Sequence, residues 1–215
     1  MALIDLVQAK VKDDSGRLTE AEDYISAVNA SLERYSLHRP SELILDVQGA
    51  GIHDVNLPDQ WVDGFSQVLK VEFPIGEIPE ALIADDAWRI YRAPDGPVLR
   101  LIDETPLATA SLRLTITVPR QEASIQPGDL EAVANLAASF CCDTLANLFA
   151  STSDPTIAAD VVNYRSKSTE YARRAKELRR LYQEHMGINE DGSAQAAMTL
   201  APAPAGCAGL THWRR

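Results

Sequence analysis

Apolar side chains recur every three or four residues up to Pro40, fall into short strand-like runs between Glu42 and Pro119, and recur every three or four again from Pro127. A helical period does not settle as a strand, nor a strand period as a helix, so a β-rich segment must sit between two helical ones. The alternation is most complete in Ser111–Val118, SLRLTITV: Leu112, Leu114, Ile116 and Val118 take one face, Ser111, Arg113, Thr115 and Thr117 the other. Because the flanking helices need one another's apolar faces, the expected fold is α+β: a small helical bundle with an antiparallel β-rich insertion and an extended C-terminal tail.

The details follow from spacing. Ile4, Val7 and Val11 share one side of a short helix over residues 3–11. After DDSGR, Thr19 and Glu22 have capping-box spacing, and Ala21, Tyr24, Ile25, Val28, Leu32 and Tyr35 mark the buried face of a helix that ends before Pro40. In the β-rich segment, ELILDVQG is a short apolar run and QVLKVEF places Leu69, Val71 and Phe73 on one side. AWRIYRAPDGPVLRLI reads as two strands about a Pro94-Asp95-Gly96 turn. Glycines and prolines at 49, 51, 58, 74, 76 and 79 cut this region into four to six short strands, a meander or small sandwich.

Pro127 suits a helix start, where Asp129 and Glu131 complement the dipole, and Leu130, Val133, Ala137, Cys141, Leu145 and Leu148 form a stripe to about Phe149. Alanines 132, 134, 137, 138 and 146 allow a second helix to approach closely. That helix is expected over 164–186, with a seam of Tyr164, Tyr171, Ala175, Leu178 and Tyr182 and a C-cap at Gly187. The expected division is 1–40 and 123–187 for the bundle, 41–122 for the β-rich insertion, and 188–215 for a tail rich in Ala, Pro and Gly. That tail has no sustained period and needs another surface, its own or a neighbour's, to hold it.

The formal charge of −11 over 215 residues disfavours generic duplex binding, since the summed field repels phosphate. Its distribution is uneven. Residues 164–186 hold seven bases (Arg165, Lys167, Arg173, Arg174, Lys176, Arg179, Arg180) against three acids (Glu170, Glu177, Glu184), a local +4 that leaves −15 elsewhere. The basic face is open to three readings: a solvated surface with ordinary helix pairs (Glu177–Arg173, Glu177–Arg180, Glu184–Arg180), a contact to another protein, or a nucleic-acid contact that the other charges oppose. No run reaches about 18 uninterrupted apolar residues and the first residues lack a basic and apolar leader pattern, so the chain is expected to be soluble, unexported and without a membrane partner. Cys141 and Cys142 read as small buried hydrophobes, consistent with a reducing compartment.

Catalytic and metal-binding patterns are not supported. His53-Asp54 and Asp85-Asp86 are sequence neighbours in loop-like regions, which seldom converge on one substrate. Gly49-Ala50-Gly51 lacks the third glycine of a dinucleotide fingerprint and links two strands rather than a strand and a helix. His38, His53, His185 and His212 lack metal-ligand spacing, and Cys207 with His212 is isolated in the tail. Neither enzymatic activity nor a cofactor is expected. A rival reading, a β-rich ligand- or carbohydrate-binding module, would draw its pocket from Trp61, Phe65, Trp88 and Tyr91.

The order of elements, DLEAVANLAASFCCDTLA from Asp129, and SDPTIAADVVNYRSKSTEYARRAKELRRLYQEHMG from Ser153 together resemble the head-to-tail adaptor, or connector, proteins of tailed bacteriophages. The resemblance implies a structural virion protein without catalytic residues, located in the head–tail neck of the virion and assembled in the host cytoplasm. It implies a homo-oligomeric ring of twelve copies beneath the portal protein, joined to downstream neck or tail proteins and lining a channel for genomic DNA that passes without sequence-specific binding. A C-terminal extension would dock on the portal. The matching positions here are Leu200, Leu210, Trp213, Arg214 and Arg215, with Arg165, Lys167, Arg173, Arg174 and Arg180 as a subunit or portal contact. A neck stopper or tail-completion protein is the neighbouring alternative.

Overall fold

The structure is a computed structural model that describes residues 2–151 and 158–188, without the side chains of residue 21 and of 158–166. The expected tail residues Leu200, Leu210, Trp213, Arg214 and Arg215 lie outside the described residues, as does the side chain of Arg165. In chain order the elements are α1 (Leu3–Val11), a π-type turn (Glu20–Tyr24), α2 (Ile25–His38), β1 (Ser41–Gln48), β2 (Asp54–Asn56) and β3 (Val68–Glu72). Then come β4 (Trp88–Ala93), β5 (Gly96–Leu101), β6 (Ser111–Val118), α3 (Leu130–Ser151) and α4 (Ala158–Met186). The fold is α+β, as expected, with four α-helices and two small antiparallel sheets.

Two apolar clusters hold it. In the first, α3 runs between α1 and α2 on one side and α4 on the other, and Val133, Ala137, Cys141, Leu145 and Phe149 meet Leu3, Val7, Val11, Tyr35 and Ala175. Being packed around most of its circumference explains why α3 is apolar all round: by length and composition it could cross a membrane, yet most of it is buried in this fold. Leu148 departs from the expected stripe and is exposed, and Phe149 takes the inward position against Tyr171, whose ring stacks on it at 5.5 Å. The α4 seam holds: Ala175 and Tyr182 are buried, Tyr171 and Leu178 half-buried. Helix α4 begins at Ala158, earlier than its basic segment, and spans about 43 Å at ~1.5 Å per residue. Gly187 ends it at φ +66, with Ile188 N–H donating to Gln183 O and Gly187 N–H to Glu184 O, the paired bonds of a Schellman cap.

The entry to α2 differs from the capping box expected. Thr19 makes no side-chain cap to the helix; instead Asp23 accepts from the Thr19 backbone N–H (2.8 Å) and hydroxyl (3.1 Å). The intervening π-type turn shifts the helical phase, so Ile25 faces solvent while Tyr24, Ala27, Val28, Ser31 and Tyr35 point inward.

The second cluster lies among the strands. β1, β6 and β3 form one sheet with β6 central, and β2, β5 and β4 the other with β5 central. Leu112, Leu114 and Ile116 are fully buried and Val118 half-buried, as the alternation requires, against Val55, Val71, Leu99 and Leu101. QVLKVEF departs from its expected register. A shift between Val68 and Lys70 leaves Leu69 exposed and turns Val68 to the core instead, while Val71 and Phe73 pack there as expected.

Gly49 has a packing reason, whereas Gly51 has a conformational one, a φ of +72. A Cβ on Gly49 would stand 2.5 Å from Leu107 O and 2.6 Å from Pro106 O, where the 106–110 loop crosses the end of β1. Gly49→Ala is therefore expected to destabilise the protein by about 1–3 kcal/mol, read as a lower urea midpoint at unchanged slope.

Candidate functional site

The chain converges around Asp129, where α2, the link to β1, the start of α3 and the end of α4 meet. Asp129 immediately precedes α3, where a carboxylate favours the positive helix end, and its side chain is 4% exposed. Three donors from three elements share it: Tyr35 Oη from α2 at 2.6 Å, Arg39 Nη1 from the link to β1 at 2.7 and 2.8 Å, and His185 Nε2 from the last turn of α4 at 2.9 Å. Burial pushes the Asp129 carboxyl up, but the hydrogen bonds of Tyr35 and His185 and the Arg39 charge outweigh it and hold the group below the usual carboxylate range.

The exit from β6 is tied to the same place. Arg120 donates from Nε to Arg39 O (2.6 Å) and from Nη2 to Pro40 O (3.1 Å), and its backbone N–H donates to Ser36 Oγ (2.9 Å). Alongside, His38 Nδ1 lies 2.7 Å from Tyr182 Oη. Burial, and then the Arg34 charge, hold the His38 imidazole below its ordinary value. These residues can fasten and orient, and sequence spacing gave no sign of them because Tyr35 with Arg39, Arg120 with Asp129, and His185 come from three stretches far apart in the chain. Asp129 was legible only as a helix-dipole partner.

On α4 the basic residues divide by task. Arg174 donates to the last carbonyls of α1, Lys10 O and Val11 O (3.1 Å to the latter), and Arg179 pairs with Asp143 on α3. Arg180 bridges Glu177 (2.6 Å) and Glu184 within the helix, so two of the three helix pairs expected from spacing are present. Lys167 is exposed, with its ammonium 5.5 Å from the Phe149 ring centroid. Arg173 and Lys176 are exposed and form no ion pair among the described residues, so they carry the outward positive charge of this helix. Six bases against fourteen acids leave residues 41–122 at −8, the opposite sign.

A third feature lies among the strands. Trp88, Ile90 and Arg92 alternate onto one face of β4, and the loop before β3 folds back over them through Trp61 N–H to Pro58 O (2.9 Å), Ser66 N–H to Val62 O (2.8 Å) and Val62 N–H to Ser66 Oγ (3.0 Å). Trp61, Phe65, Gln67 and Asp63 complete a groove of about 480 Å³. Both indole nitrogens, Trp61 Nε1 and Trp88 Nε1, are buried without a hydrogen-bond partner among the described residues. Of the four aromatics singled out in the sequence, three converge. Tyr91 points to the opposite face, where its ring centroid lies 3.5 Å from the Arg100 guanidinium carbon.

Elsewhere, the polar neighbours flagged in the sequence have ordinary roles. Asp54 pairs with Arg100 across β2 and β5 through two bonds of 2.6 Å, and exposed His53 meets Glu104 O at 3.1 Å. Among the described residues no three His, Cys, Asp or Glu side chains gather as a metal site. Burial raises the Cys141 thiol to about 12 and the Cys142 thiol to about 11, so neither supplies thiolate near neutrality. In a Cys207→Ser chain, both are expected to resist iodoacetamide for as long as the fold persists and to react on denaturation, which mass spectrometry reads directly.

No family model matches the chain, and no curated protein matches it. Among solved structures the chain is similar to one from the virion of a native gene transfer agent particle, at a TM-score of 0.30 and 13% identity, covering 80% of this chain and 88% of that one. A likeness at that level decides neither fold nor function.

Proposed function

We propose that the chain is a head-to-tail adaptor: a non-enzymatic virion protein that forms a ring of twelve copies beneath a portal, joins it to downstream neck proteins and surrounds passing DNA without reading its sequence. The observation that carries the proposal is the division of charge between two faces of one subunit. Arg173 and Lys176 stand outward on α4, and the β-rich part carries −8. Ring contacts between identical subunits are heterologous, one face against a different face of the next copy, and opposite charge on those faces sets both register and encounter. Net negative charge around a duplex also favours passage over retention.

The Asp129 fastening supports the same reading, because a helical bundle tied at one point to α2, the link to β1 and α4 offers a fixed wall for twelve copies to close one ring. In this proposal residues 1–40 and 123–187 form the wall, 41–122 project to the neighbour, and 188–215 reach the portal through Leu200, Leu210, Trp213, Arg214 and Arg215. Mixing portal particles with the full-length chain, and with a chain ending at Ile188, tests the last element. Capture of the first and loss of the second is expected; equal capture of both would remove the tail from portal docking.

A second reading, a β-rich ligand-binding module, gains from the convergence of Trp61, Phe65 and Trp88. That reading requires a monomer in solution with a soluble ligand in the groove.

A further inference from the structure

We propose that the groove formed by Trp61, Phe65, Trp88 and Ile90 receives residues 201–205 of the same chain's C-terminal tail, Ala-Pro-Ala-Pro-Ala. Its walls offer flat aromatic surfaces, and the two indole N–H groups of those walls are buried without acceptors. Each such buried donor is unfavourable while it remains unsatisfied. A proline-rich strand in polyproline II geometry supplies the missing complement: its backbone carbonyls are not engaged within the strand, and its pyrrolidine rings pack on aromatic faces. Indole rotations of the kind common at interfaces bring each N–H to a carbonyl. Alternating Ala and Pro also gives a segment with little chain entropy to lose on docking.

The topology places the tail's origin at the correct end of the molecule. The described chain ends at Ile188, one turn beyond His185, which bonds Asp129; Asp129 bonds Arg39, which leads through Pro40 into β1. Ser41 at the start of β1 pairs with Val118, and the adjacent Thr117 exchanges hydrogen bonds of 2.8 and 2.9 Å with Gln67, a wall of the groove. The twelve residues 189–200 can extend up to about 40 Å, which covers that short series of contacts. The last ten residues, including Trp213, Arg214 and Arg215, remain beyond the groove. This inference concerns a contact within one chain and is tested without a portal; joined to the adaptor reading, it takes Leu200 to the edge of the groove and keeps Leu210, Trp213, Arg214 and Arg215 for the portal.

A full-length chain carrying the photo-cross-linker p-benzoylphenylalanine in place of Ala203 tests it. Irradiation is expected to join position 203 to peptides covering 58–68 or 88–92. Adding Pro202→Gly and Pro204→Gly, which change none of the described residues, should lower the yield about tenfold, since two prolines together preset roughly 1–2 kcal/mol of backbone freedom. Trp61→Phe with Trp88→Phe, which keeps aromatic rings but removes both donors, should also lower it, with a near-native thermal midpoint as the folding control. Cross-links confined to the helices, no cross-link at all, or a yield indifferent to the glycines would overturn the proposal. Cellohexaose provides the rival arm. If it alters indole fluorescence equally with and without the prolines while cross-links to the groove are lacking, the groove is a carbohydrate site and the tail is not its occupant.

Discussion

Asp129→Ala is expected to lower stability by about 3 kcal/mol and the thermal midpoint by roughly 6–12 °C, the largest effect of any single polar substitution in the helices. The cause is the loss of one buried acceptor that serves Tyr35, Arg39 and His185 together. Arg39 and His185 are each about two-fifths exposed (38% and 41%), so water recovers part of their loss, which keeps the expectation at the lower end for a broken buried ion pair. Tyr35 is fully buried and has no such recourse. Asp129→Asn should lie between, because the amide oxygen still accepts a hydrogen bond but no longer offsets Arg39.

The pH dependence separates this residue from its neighbour. Asp129 has a depressed value in the fold, so its contribution is present above the ordinary carboxylate value of 3.8 and is lost as pH falls through the lower folded value. His38 is also depressed, but it is a base, and the fold prefers it neutral. Stability from His38 is therefore full above its ordinary 6.5 and declines as pH falls below that. Thermal midpoints measured from pH 8 to pH 2.5 should show two declines, and Asp129→Ala should shrink only the more acidic one, whose remainder belongs to Asp13, Asp54 and Glu177, carboxyls also held below their ordinary value. An acidic decline of undiminished size in that variant would disconnect Asp129 from acid sensitivity.

Arg173→Glu with Lys176→Glu should leave the fold within about 0.5 kcal/mol of wild type, since both side chains are exposed and unpaired among the described residues. Association between copies should weaken about a hundredfold or more, because like charges brought face to face across an interface cost several kcal/mol. Sedimentation or native mass spectrometry at low and high salt reads both parts. Wild-type assembly should itself weaken with added salt, as contact between exposed charges requires. Arg174→Glu supplies the contrast: it should lower the melting temperature because Arg174 holds the end of α1 through Lys10 O and Val11 O. Assembly unaffected by the Arg173 and Lys176 reversals would return that surface to ordinary solvation.

These residues also mark what sequence periodicity can and cannot convey. Repeating patterns were legible: SLRLTITV buries Leu112, Leu114 and Ile116, and the α4 seam buries Ala175 and Tyr182. Single-residue events were not. A π-type turn before α2 exposed Ile25, and the shift beside Lys70 exposed Leu69, because one inserted residue changes phase without changing composition. Side chains that act between distant segments were the least legible. Seven basic residues in one helix look alike in sequence, but Arg174, Arg179 and Arg180 have partners that distinguish them from Arg173 and Lys176. Trp61 and Trp88 could be named as candidates, whereas their shared groove and unpaired N–H groups depended on how the loop before β3 folds back on β4.

The central claim is a closed ring of identical subunits, and counting copies around the symmetry axis tests it most directly. Electron-microscopic images of the full-length protein bound to portal particles should contain twelve copies about one axis, with α4 of each facing the β-rich part of the next. A single copy at the particle, or a protein that remains monomeric with portal at every salt concentration, would contradict the account.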